Sequence, residues 1–96
     1  MADAGSAGGD KRTLKILNKR GLHARAAAKF VRTAGQFDAA VRVTHGGQTV
    51  SGLSIMGLML LAAGIGSDIE VSASGAQAAE AMAALAELVT LKFGED

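Results

Sequence analysis

Apolar and polar residues alternate along Thr13-Leu14-Lys15-Ile16-Leu17, and a period of two predicts a first strand there. Asn18-Lys19-Arg20-Gly21 breaks it. From Ala24 to about Gln36 the period lengthens: Ala27, Phe30, Val31 and Ala34 share one helical face, and Gly35 helps to end the helix. Val41-Arg42-Val43-Thr44 alternates again, His45-Gly46-Gly47 supplies a hairpin turn, and Gln48 to Ser51 returns as a strand. Ser54 opens a short helix to about Ala63, closed by Gly64. Asp68 to Ala73 alternates cleanly, and Gly75 leads into a last helix from Gln77 to about Phe93. Its core stripe is Ala78, Met82, Leu85 and Val89.

The order β-α-β-β-α-β-α predicts an α+β fold, a two-layer open-faced sandwich of a four-stranded antiparallel sheet with three helices on one face. The tight turn makes the second and third strands antiparallel. A chain of 96 residues holds one core. Its Gly-rich start packs nothing, so residues 1–12 are expected to be a disordered tail and residues 13–96 the folded domain. That start has no positive region followed by an apolar core, so it is no secretory signal. The longest apolar stretch, Leu53–Ile65, is short and interrupted by Ser54, Gly57 and Gly64, which excludes a membrane span and suggests a cytoplasmic protein.

Charge changes the picture next. Residues 1–48 carry nine Lys/Arg against three Asp/Glu, a net +6, and residues 49–96 carry one against six, a net −5. So basic a half suggests an anionic ligand or an acidic partner, although pairing between the halves is the plainer alternative. Absent Cys and only two His, His23 and His45, argue against a metal site, and no cofactor is expected. With no Trp or Tyr and only three Phe, and with an acidic second half, nucleic-acid binding is disfavoured. No phosphate-loop motif supports nucleotide hydrolysis.

Two features need a ligand or a partner. The first helix opens as Gly21-Leu22-His23-Ala24-Arg25, with His at the cap and no acid in the first turn. Arg25 adds positive charge where the helix dipole is already positive, a defect that an external anion would relieve. Phosphate fits, held by the Arg fork and backbone N–H groups, with His23 either a cation or the nucleophile that takes the phosphoryl group. The plainer reading is an exposed His capping a helix. Arg25, Lys29, Arg32 and Gln36 form a mostly basic stripe beside it. The second feature is Ile55 to Ala63, a helix with no polar side chain. In a two-layer fold one side of it meets water, which marks a partner site, unless it is sunk in the core or pairs with a second copy. Ser54 is explained by capping alone, and His45 by an exposed turn.

Gly21-Leu22-His23-Ala24-Arg25-Ala26-Ala27 resembles the active-site signature of the histidine-containing phosphocarrier (HPr) family of the phosphoenolpyruvate-dependent phosphotransferase system. Ser51 to Met59 resembles that family's regulatory-serine segment, and the similarity runs from about Thr13 to Phe93. The resemblance implies a stoichiometric phosphoryl carrier rather than an enzyme. His23, through Nδ1, would accept a phosphoryl group from enzyme I and pass it to a histidine of enzyme IIA, in sugar uptake or a regulatory branch. Arg25 and the backbone N–H groups of Ala24, Arg25 and Ala26 would steady the phosphate. Arg25, Lys29 and Arg32 with Ile55, Met56 and Met59 would form the docking face of a monomer. Ser54 aligns with the serine modified by HPr kinase/phosphorylase, so a regulatory interaction module controlled at Ser54 is the alternative. Ala26 stands where the family usually has Pro, which frees one more N–H donor, and the chemistry is expected to survive.

Overall fold

The computed structural model describes residues 9–95. Its elements are β1 (Gly9–Lys15), α1 (Ala24–Ala34), β2 (Ala40–His45), β3 (Gln48–Ser51), α2 (Ile55–Leu60), β4 (Asp68–Ser74) and α3 (Ala78–Thr90), then a single 3-10 turn, Lys92–Gly94. All pairings are antiparallel, in the order β1-β4-β2-β3. The alternation in the strands sets this arrangement. Val41, Val43, Ile69, Val71 and Ala73 point inward onto the helices, and Arg42, Asp68 and Glu70 point out to water. Gly46 and Gly47 both take positive φ, at 60° and 82°, the backbone that a two-residue hairpin loop requires.

β1 departs from its expected bounds at both ends. It starts at Gly9, pairing with Ser74, and stops at Lys15, pairing with Asp68. Residues 1–8 of the expected tail lie outside the described residues, and residues 9–12 are strand. The ladder is made by backbone groups, so the seven residues of β4 extend it past the last apolar side chain of β1. Lys11 and Lys15 charge this edge, a guard against pairing with other chains. Ile16 lies beyond the strand, fully buried, with its N–H on Ser67 O at 2.8 Å.

Phe30, Ile69, Met82, Leu85 and Phe93 are among the largest fully buried side chains, and they fill the space between sheet and helices. Each is worth roughly 2–3 kcal/mol of burial. The expected stripe of α3, Ala78, Met82, Leu85 and Val89, is buried throughout. On α1 the buried set is Ala26, Ala27, Phe30 and Ala34, with Val31 half-buried. Both later helices are shorter than their sequences suggest. α2 stops at Leu60, and Ala62 turns the chain with φ 53°. α3 stops at Thr90, and Lys92, Phe93 and Gly94 follow with φ of 57°, 55° and 76°. This left-handed run sinks Phe93 into the core and brings Glu95 back over the start of α1. Among the described residues no helix is long and apolar enough to cross a membrane.

Candidate functional site

Asn18 organises the approach to α1. It is fully buried, and its Nδ2 donates to Gly21 O at 2.8 Å and to Glu95 Oε1 at 3.0 Å. Gly21 sits at φ 64° against the chain leaving α2, where an added Cβ would meet Ala63 O at 2.4 Å. Leu22 N–H then donates to Ala63 O at 3.0 Å. These contacts lock the loop before His23 against the end of α2, so the apolar helix and the helix-start His become neighbours.

His23 is the N-cap of α1, extended at φ −74°, ψ 179°, yet its side chain makes no capping hydrogen bond. The ladder begins with Ala27 N–H on His23 O at 2.8 Å, so the N–H groups of Ala24, Arg25 and Ala26 precede it. No acid lies in the first turn. The imidazole turns instead to the far end of the chain, where Nε2 meets Glu95 Oε2. Burial pushes the Glu95 carboxyl up, but hydrogen bonds from His23 and Asn18 and the charges of His23 and Arg20 outweigh it and hold it below 4.5, its ordinary value. Glu95 is therefore an ionised acceptor and Nε2 the donor, and Nδ1 makes no hydrogen bond among the described residues.

Two clefts flank this pair. One, of about 240 Å³, is lined by His23 and Arg20 together with Leu22, Met59, Ala62, Ala63 and Gly64. The other, of about 390 Å³, is bordered by Lys19, Arg20, Arg25, Lys29, Gly94 and Glu95. Arg25 is exposed and makes no ion pair among the described residues. Lys29 is half-buried and donates to Phe93 O at 2.6 Å, tying α1 to the C-terminal turn. Arg32 is exposed in the last turn of α1, favourable for the dipole there, and lines neither cleft. On α2, Met59 reaches the His23 cleft, while Ile55 and Met56 continue the exposed apolar surface, Met56 and Leu60 each at 71%. Ser54 Oγ accepts from Gly57 N–H at 2.9 Å, an ordinary cap, and lines neither cleft. Among the described residues no three His, Cys, Asp or Glu side chains converge as metal ligands would.

Glu95, Asn18 and Arg20 escaped the sequence reading as site residues. Glu95 is 72 positions from His23, and no local pattern links them.

An open-faced antiparallel sandwich, with a largely buried imidazole at a helix start that its side chain does not cap, is the architecture of an HPr-like domain. The chain belongs to the HPr family: the family model "PTS HPr component phosphorylation site" matches residues 10–90. It is 53% identical over 85 residues to the phosphocarrier protein HPr of Neisseria meningitidis, covering 88% of this chain and 96% of that one. The HPr of Cupriavidus necator is 47% identical over 85 residues, covering 88% and 96%. The crystal structure of an HPr from Thermoanaerobacter tengcongensis superposes with a TM-score of 0.87 at 42% identity, covering 91% of this chain and 98% of that one.

Proposed function

We propose that this protein is a phosphoryl carrier, which takes a phosphoryl group on His23 Nδ1 from a phosphohistidine of enzyme I and gives it to a histidine of enzyme IIA. The observation that supports this reading is the Nε2–Glu95 hydrogen bond, because it occupies Nε2 and leaves Nδ1 as the ring nitrogen available to phosphorus. The Nδ1 lone pair attacks phosphorus, the N–P bond of the donor breaks, and the donor imidazole leaves with that electron pair. The ring that carries phosphorus also keeps its distal proton, so positive ring charge passes from donor to acceptor and no proton crosses. Glu95 holds that proton on His23, and its carboxylate balances the charge the ring gains. Arg25 and the N–H groups of Ala24, Arg25 and Ala26 steady the phosphoryl oxygens.

Arg25, Lys29 and Arg32 with Ile55, Met56 and Met59 form the docking face for both partners in turn. The protein works as a monomer in the cytoplasm, is consumed and regenerated stoichiometrically rather than turning over substrate, and uses no cofactor, metal or nucleic acid. The test is incubation with phosphoenolpyruvate and enzyme I, followed by mass measurement of an acid-labile, base-stable phosphoryl adduct. His23→Ala is expected to stay unlabelled, and equal labelling of that variant rejects the assignment.

A second reading rests on Ser54. Its hydroxyl sits where exposed Leu53, Ile55 and Met56 gather. A kinase/phosphorylase that modified it would place a dianion beside the docking face and repel partners that present acids. Partner binding that survives His23→Ala but fails on Ser54 phosphorylation would favour this regulatory module.

A further inference from the structure

Arg20 borders both clefts beside His23. In the cleft that His23 itself lines, Arg20 is the one Lys, Arg, Asp or Glu; Arg25 lines only the other. The Arg20 backbone is held in place. Gly21 N–H donates to Asn18 O at 3.2 Å, and Asn18 Nδ2 returns to Gly21 O at 2.8 Å, so a buried side chain pins the turn that carries Arg20. Its side chain is exposed and makes no ion pair among the described residues, although its charge acts on Glu95, which borders the second cleft with it. The remaining wall of the cleft is apolar side chain and backbone, including Leu22, Met59 and Ala62. An arriving anion there meets a guanidinium fork suited to phosphate oxygens in surroundings that screen charge less than open water.

We infer that Arg20 is a phosphate-positioning residue, which binds the phosphoryl group carried by His23 from the cleft that His23 shares with the end of α2. The inference rests on the carrier reading above, and it adds a second guanidinium to Arg25. It predicts an effect on how strongly the carrier holds its load, apart from how fast partners dock.

The equilibrium between phosphorylated protein and enzyme I isolates that effect, since docking changes the rate of approach and not the final ratio. Purified protein, enzyme I and phosphoenolpyruvate with pyruvate at fixed ratio are brought to equilibrium, and the phosphorylated fraction at His23 is measured by mass. Arg20→Leu is expected to lower the ratio of phosphorylated to free carrier about tenfold, as loss of one charge-assisted hydrogen bond should. Arg20→Lys is expected to recover part of it, keeping the charge and losing the fork. Labelling of His23 in both proteins with equal ratios overturns the role of Arg20 and leaves the carrier reading intact. No labelling of His23 in the unsubstituted protein overturns both. Should Arg20→Leu fail to fold, the Arg20 Nε–H resonance of the unsubstituted protein decides: it is expected to move downfield on phosphorylation, and an unmoved resonance overturns the proposal.

Discussion

The Nε2–H of His23 donates to the Oε2 of Glu95 across 72 positions of chain, and the second oxygen of the same carboxylate accepts from buried Asn18 at 3.0 Å. One acid therefore ties the His23 ring to the core. The C-terminal turn is part of the site rather than a trailing end.

The pH dependence of stability follows from this acid. Burial raises the Glu95 carboxyl, and the hydrogen bonds and charges around it more than reverse that, so its folded value lies below 4.5. Just below that value the folded protein binds fewer protons than the unfolded chain, and stability falls as pH drops. Above about pH 5 the contribution is complete, and it is lost as pH falls through the folded value. Glu95→Gln keeps the shape without the charge, and is expected to lower stability at neutral pH by about 1–2 kcal/mol. Urea midpoints across pH should show that gap closing in acid. A gap that stays constant down to about pH 3 would mean the carboxylate charge is not its source.

Gly21 is expected to tolerate no side chain. Its φ of 64° disfavours any Cβ, and that atom would lie 2.4 Å from Ala63 O and 2.8 Å from Gly64 Cα, both backbone. Gly21→Ala should cost about 3 kcal/mol or more, because neither neighbour is a flexible side-chain tip. Hydrogen exchange at Leu22 N–H, which bonds Ala63 O, should accelerate at the same time. A loss under about 0.5 kcal/mol would show that the two loops part easily.

These contacts separate what was legible in the sequence from what was not. His23 stood out because a helix start without a capping oxygen or a first-turn acid contradicts local propensity, and such conflicts mark sites. Ile69, Val71 and Ala73 were legible as one strand face because one side of β4 is buried and one is wet. Glu95 was hidden, since its position depends on Lys92 and Phe93 at positive φ, which neither residue favours by itself. Burial of the Phe93 ring holds that turn, and burial at a distance leaves no periodic trace. Arg20 read only as part of a strand breaker, because its role depends on which cleft the turn faces.

Ser54 separates stability from binding. Its Oγ caps α2 through Gly57 N–H, so Ser54→Ala should cost about 1 kcal/mol and Ser54→Gly only a few tenths. Ser54→Asp keeps a capping oxygen and adds charge, so it should be close to the parent in thermal unfolding. Binding to an acid-presenting partner should nevertheless weaken in Ser54→Asp alone. Equal binding by the Ser, Ala and Asp forms would remove Ser54 from the docking face.

Met56 tests that face most directly. At 71% exposure it contributes little to the core, so Met56→Glu should change folding stability by less than about 0.5 kcal/mol. If α2 docks the phosphoryl donor, a charge introduced there loses apolar contact and repels an acidic partner, for a loss of about tenfold or more in affinity. The defect should appear as a raised KM for phosphoryl transfer from enzyme I with kcat nearly unchanged, because Met56 lines neither cleft beside His23. Ala79→Glu, on the exposed side of α3, adds the same charge away from α2 and should leave KM as it was. A common shift in both variants would trace the effect to net charge, and no shift in either would move the docking surface off α2.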